Sequence, residues 1–100
     1  MGLKTTKFDV QDHLTTPEDR AAYLAAAFEE GDEAFIRQAF HDIARAIGMT
    51  EVARLAGMSR EGLYKSLGKN GDPKLSTMLN IARALQVQLT VTPHQEPVAA

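Results

Sequence analysis

One hundred residues, 44% of them hydrophobic, with 11 basic and 13 acidic side chains and a net charge of −2, suit one small domain with a modest core. The chain has no cysteine, which excludes disulfides, thiolate zinc sites and thiol chemistry. Its longest apolar run, residues 21–28, is too short and alanine-rich to span a membrane, and the N-terminus lacks the apolar stretch of a secretory signal, so a cytoplasmic protein with no membrane partner is expected.

Residues 1–14 are polar with isolated apolar points, and read as an N-terminal arm whose Phe8 and Leu14 dock on something. Thr16-Pro17-Glu18-Asp19 is a helix start: a capping hydroxyl, proline in the first turn, and acids at the positive end of the helix dipole. Ala21, Leu24, Ala25 and Phe28 recur at helical spacing and predict an inward face. Gly31-Asp32 ends this helix and caps a second, over residues 33–47, with Ile36, Ala39, Phe40, Ile43 and Ile47 on one stripe; Gly48 stops it. Together residues 15–48 form an acidic helical hairpin. A reader unit follows over residues 49–86. Its last helix, residues 75–85, is expected to turn Leu75, Met78, Ala82 and Leu85 inward. Val87, Leu89 and Val91 alternate with polar residues up to Pro93, which predicts a short strand over 87–92. A lone strand is unstable, so the economical partner is the same strand of a second copy across a two-fold axis. Residues 93–100 read as a tail.

Residues 50–67 carry the strongest local signal. Thr50 is expected to cap one short helix, Gly57 to end it in the left-handed conformation, and Ser59 to cap the next, which begins at Arg60. Ala53 is small where the helices approach, while Met58 and Leu63 are apolar where they pack. This spacing is that of a DNA-reading helix-turn-helix, with the second helix laid in the major groove. Arg60 suits a guanine edge and Glu61 a cytosine amine. Tyr64 suits a thymine methyl or a phosphate, or else is a partly buried core ring. Ser59 lies on the same side at the start of this helix, and Thr50, Lys65, Lys69, Lys74, Ser76 and Thr77 suit the phosphate backbone. For each of these residues alone, the plainer alternative is a solvated side chain.

Charge is polarised along the chain. Residues 9–48 hold nine acids against three bases, whereas residues 49–85 hold six bases against three acids. Phosphates are repelled by the first stretch and attracted by the second, and the acidic end is expected to lie opposite the reader. Catalysis is not expected. His13, His41 and His94 lie in separate segments, no metal-ligand spacing occurs, and no glycine-rich loop follows a strand to cradle a nucleotide, so no catalytic, metal or cofactor residues are assigned. The acids at 29–30 and 32–33 are read as helix-end residues rather than as a paired catalytic set.

Residues 49–91 resemble an Xre/Cro-type (lambda repressor-like) helix-turn-helix domain. More broadly, residues 8–92 resemble the probable addiction module antidote proteins, antitoxins of HigB–HigA-like modules. The matching residues are Phe8-Asp9, Glu18-Asp19 with Ala21-Ala22-Tyr23-Leu24, Glu29-Glu30-Gly31-Asp32, Ile43-Ala44-Arg45-Ala46 with Gly48-Met49, and Arg60-Glu61-Gly62-Leu63-Tyr64-Lys65. Gln86 departs from the usual glycine after Ala84-Leu85, which puts the last helix's end in question. The resemblance implies an all-α fold of five helices with a short C-terminal β-strand. It also implies a bacterial homodimer that binds double-stranded operator DNA and a cognate RelE/HigB-like toxin, an antitoxin of a type II toxin–antitoxin module that represses its own operon. On that reading Phe8, Asp9, Asp12, Leu14, Glu18, Asp19 and Tyr23, with Glu29 and Glu30, complement a basic toxin. The alternatives are a stand-alone phage-type repressor without a toxin, and an interaction module that no longer binds DNA.

Overall fold

The computed structural model describes residues 14–94, which form five helices: α1 (Pro17–Glu30), α2 (Glu33–Ile47), α3 (Met49–Ala56), α4 (Arg60–Leu67) and α5 (Leu75–Ala84). Most boundaries follow from local chemistry. Thr16 Oγ1 accepts from the Asp19 N–H at 3.0 Å and starts α1. The Gly31 N–H donates to the carbonyls of Ala27 and Phe28 and closes it. Asp32 Oδ1 accepts from the Ala34 N–H at 3.1 Å and starts α2, which Gly48 ends. Thr50 caps nothing. It lies inside α3, which starts after Gly48 without a side-chain cap because Gly48 both ends one helix and opens the next.

Helix α2 is the central beam. Phe40 and Ile43 are fully enclosed with Val52 of α3, Leu63 of α4, Ile81 of α5 and Leu85. Helix α1 packs on α2, while α3 packs on α5, α4 and α2. The predicted stripe of α2 holds, with Ile36 and Ile47 at its half-buried edges. In α5 the expected stripe holds at Ala82 and Leu85, which are buried, and at Met78, which is half-buried; Ile81 joins them in the core, and Leu75, the first residue of the helix, is largely exposed.

The inner face of α1 also differs from expectation. It consists of Arg20, Leu24 and Ala27. Ala21 and Ala25 are exposed, and Phe28 keeps 45% of its surface, its ring edge-on to Phe40 at 6.3 Å between centroids. The cause is Arg20, which is only 9% exposed. Its Nε donates to the Leu14 carbonyl at 3.0 Å, and its terminal nitrogens donate to the carbonyls of Thr15 at 3.3 Å and Leu85 at 3.2 Å and to Gln86 Oε1 at 3.0 Å. The guanidinium therefore ties the entry to α1 to the exit from α5, where the negative end of a helix dipole suits a cation. Leu14, expected to dock on a partner, is drawn into the core at 2% exposure and docks on its own chain. Gln86 takes the left-handed conformation, φ 65°, that glycine would hold without strain. Its side-chain contact with Arg20 offsets that strain.

No strand forms among the described residues. Residues 87–94 run irregularly from α5; the Val87 N–H donates to the Ala82 carbonyl at 3.0 Å, and Val87 and Leu89 pack against the core. Their period-two alternation thus serves the chain's own interior, and of the three residues expected at a dimer seam only Val91 is fully outward.

Replacing Arg20 with alanine is expected to lower the unfolding free energy by about 3 kcal/mol, because the buried Leu14 and Leu85 carbonyls lose a charged donor. Urea denaturation measures this; a loss below about 0.5 kcal/mol is what a surface substitution gives and would place the guanidinium outside the core.

Candidate nucleic-acid interface

The turn between α3 and α4 is built by main-chain bonds. Gly57 sits at φ 73° and its N–H donates to the Arg54 carbonyl at 3.2 Å, while the Met58 N–H reaches back to the Ala53 carbonyl at 3.0 Å. This pair of bonds satisfies the last carbonyls of α3 and needs a left-handed residue at position 57, which is why glycine stands there. Met58 then packs against the core. Ser59 Oγ accepts from the Gly62 N–H at 2.9 Å and opens α4. Ala53 and Leu63 are buried, as their spacing predicted, and Leu67 is buried with them.

With that face fixed, Ser59, Arg60, Glu61, Tyr64 and Lys65 are all exposed. Arg60 and Tyr64 act as a unit. The guanidinium carbon lies 5.3 Å from the ring centroid, and a guanidinium nitrogen donates to the Tyr64 hydroxyl at 3.4 Å. Tyr64 is a surface ring that holds Arg60, rather than a core residue. The other assigned residues are more scattered. Thr50 is exposed in the first turn of α3, Lys69 lies in the turn after α4, and Lys74, Ser76 and Thr77 flank or open α5, with Thr77 half-buried. Among the described residues none of Lys65, Lys69 and Lys74 is held in an ion pair. Arg54 is differently placed: it pairs with Glu51 at 2.6 Å on the exposed side of α3, and that contact holds the Glu51 carboxyl below its usual range.

Two residues of α2 support the reader and were not singled out from the sequence. The Arg37 guanidinium donates to the carbonyls of Gly68 at 3.2 Å and Lys69 at 3.1 Å, closing the end of α4. His41 sets its ring edge against Tyr64, 5.9 Å between centroids. They stand four apart on one flank of the apolar stripe of α2, and that spacing was the available signal. Burial pushes the His41 imidazole below its ordinary value, Arg45 adds to the effect, and Asp42 opposes it. The turn that Arg37 holds is tight: a Cβ on Gly71 would overlap the Ser66 carbonyl and come within 2.8 Å of the Lys65 oxygen. Arg37 also corrects the expected layout. Because it joins the second turn of α2 to the end of α4, the acidic hairpin and the reader are neighbours, not opposite poles.

The residues expected to meet a toxin are dispersed. Phe8, Asp9 and Asp12 lie outside the described residues, and Leu14 is in the core. Glu18 and Asp19 are exposed at the start of α1. Tyr23 turns towards α2, where its hydroxyl donates to Asp42 Oδ2 at 2.7 Å; burial first, then that carboxylate, pushes its pKa up to about 12. Among the described residues no group of three or more His, Cys, Asp or Glu side chains is placed to hold a metal, and no helix is long and apolar enough to cross a membrane.

Residues 4–93 match the family model described as probable addiction module antidote protein. The chain belongs to that family. An addiction module antidote is the antitoxin of a toxin–antitoxin pair, so membership implies a toxin partner. The chain is also 44% identical over 84 residues to an uncharacterized protein of Haemophilus influenzae, covering 84% of this chain and 87% of that one. No solved structure matches it.

The lowered His41 value makes stability pH-dependent. The unfolded chain takes up a proton near the ordinary pKa of 6.5 and the folded chain resists it, so this antidote protein is expected to lose stability as pH falls from 6.5 through the folded value. Melting temperatures between pH 7.5 and 5 for the native chain and His41→Gln test this; the variant should show a shallower decline, and parallel curves would remove His41 as the cause.

Proposed function

We propose that this chain is the antitoxin of a type II toxin–antitoxin module. In this reading it neutralises a RelE/HigB-like toxin by direct binding and represses its own operon as a homodimer. It uses α3 and α4 as an Xre/Cro-type helix-turn-helix, with α4 in the major groove of operator DNA. The observation that carries the DNA half is the outward face of α4: Arg60 stacked and hydrogen-bonded to Tyr64, with Lys65 beside them and Leu63 and Leu67 turned inward. Phosphate contacts from Lys65, Lys69 and Lys74 would set position, and Arg60 and Glu61 would read bases. Membership of the antidote family supports the toxin half. A stand-alone repressor would use the hairpin's inner face for the core but leave its outward acids Glu29 and Glu30 without a task.

A dimer in this arrangement meets two half-sites about 34–36 Å apart on one face of the duplex, so the operator is expected to be palindromic. Val91, exposed at the end of the irregular segment, is the residue best placed to join two copies there.

The experiment is a salt-controlled shift assay on the chain's own promoter, paired with co-expression against the small protein encoded beside it. Binding that weakens with salt and relief of growth arrest are expected. Arg60→Ala should weaken operator binding by about 1–3 kcal/mol and relax preference at one base pair. A footprint unchanged by that substitution removes Arg60 from the reader, and salt-independent or absent binding removes the DNA half altogether.

A further inference from the structure

The tip of the α1–α2 hairpin combines two features that its own fold uses only in part. Phe28, in the last turn of α1, and Phe35, in the first turn of α2, keep 45% and 49% of their surface exposed. Each stands about one helical turn from Gly31, so both belong to the same end of the hairpin. Around them lie Glu29, Glu30, Asp32 and Glu33, and between Arg20 and Arg37 the sequence has no basic residue at all.

The acids do not serve the helices equally. Asp32 and Glu33 sit at the start of α2, where a carboxylate is favourable, and Asp32 caps it. Glu29 and Glu30 sit at the end of α1, where the exposed carbonyls repel negative charge, and the last turn of α1 carries no base to compensate. Neither is paired with a cation among the described residues. They weaken the helix that holds them, as two half-exposed phenylalanines weaken solubility, so the sequence keeps both features against the interest of the isolated fold.

Resting on the antitoxin reading above, we propose that this tip is the docking point for the toxin, with Phe28 and Phe35 as aromatic anchors and the four acids as a rim that engages a cationic surface. Aromatic side chains inside a charged rim are the usual composition of a strong protein–protein contact. The sign of the rim selects the guest: nucleic acid is repelled, and a basic protein is attracted and oriented before contact. The assignment keeps Glu29 and Glu30 from the expected toxin-facing set, adds Phe28 and Phe35 as anchors with Asp32 and Glu33 beside them, and leaves out the arm and the start of α1.

The test is calorimetric titration of the purified chain, at fixed salt, with the toxin encoded in its own operon. Phe35→Ser and the double variant Glu29→Lys/Glu30→Lys are compared with the native chain and with Glu18→Lys/Asp19→Lys. Phe35→Ser is expected to weaken binding at least about tenfold, as loss of an aromatic anchor does. The Glu29/Glu30 reversal should weaken binding by a similar factor, mainly through a slower on-rate, without lowering the melting temperature. Operator binding by both should stay native. If both tip variants bind toxin as the native chain does, or only Glu18→Lys/Asp19→Lys weakens it, the docking point is wrong while the antitoxin reading stands. If Phe35→Ser abolishes self-association and leaves toxin binding intact, the tip belongs to a second copy and the proposal is overturned. A native chain that binds no co-encoded protein removes the antitoxin reading and the docking point together, and the native titration alone distinguishes that case.

Discussion

The fold depends on a positive charge held inside it without a negative partner. Arg20 is buried among the carbonyls of Leu14, Thr15 and Leu85 and the side-chain oxygen of Gln86. Desolvating a guanidinium is expensive, and here it is offset by neutral acceptors and by the dipole of α5 rather than by a carboxylate. Because those acceptors come from both ends of the described chain, the single side chain closes the molecule. It also sets the rotation of α1. With Arg20 inward, Leu24 and Ala27 follow at helical spacing, and Phe28 is carried to the edge. The exposure of Phe28 at the hairpin tip therefore goes with the burial of Arg20, since at 3.6 residues per turn Phe28 stands about 80° from Arg20 around the helix axis.

Helix α2 carries this arrangement across to the reader. One flank faces α1, where Asp42 accepts from Tyr23 and from Gln38 at 2.8 Å. The other faces α4, where Arg37 holds the final carbonyls and His41 meets Tyr64. Between them runs the stripe that fills the core. The reader is thus a short helix whose exposed pair, Arg60 and Tyr64, is backed by a longer one, and such backing limits the side-chain freedom lost on binding DNA.

Helix boundaries were legible in the sequence wherever a cap chemistry exists. Thr16, Asp32, Ser59, Gly31, Gly48 and Gly57 do what their types predict, and the range of α2 follows directly. The departures in α1 and at Leu14 share one cause. Reading apolar periodicity assumes that charges face water, so a buried arginine is invisible to it, and the face of α1 was set one row out. Leu14 was misplaced for the same reason, since what pulls it inward is a hydrogen bond to its carbonyl. Thr50 has the chemistry of a cap but not the position, because Gly48 occupies the junction between α2 and α3. Alternation over residues 87–92 reported correctly that one side is apolar, but it could not say which surface that side would cover. The outward set of α4 was legible because the glycine-hinged turn fixes its rotation; Arg37 and His41 were not, since their roles depend on which helix lies beside α2.

Charge segregation, read at first from composition, is sharpened by the fold. The acidic stretch of the sequence holds three bases, Arg20, Arg37 and Arg45, against nine acids. Two of them, Arg20 and Arg37, spend their donors on main-chain carbonyls and a neutral amide. The carboxylates are likewise met by neutral donors: Asp32 by a backbone N–H, Asp42 by a phenol and an amide. Hydrogen bonds of this kind satisfy an ion without cancelling it, so the hairpin retains its negative field while remaining well bonded. In the reader half one acid, Glu51, is tied to Arg54, which leaves Arg60 and the lysines to set the local sign. The boundary between the two fields is Arg37. It stands four residues after Glu33, about 6 Å along α2 and inside the physiological Debye length of about 8 Å, yet it is bonded to the turn beyond α4. Bonded to neutral carbonyls, Arg37 keeps its charge there, so it lowers the negative field beside the reader and marks the point at which the sign of the surface changes.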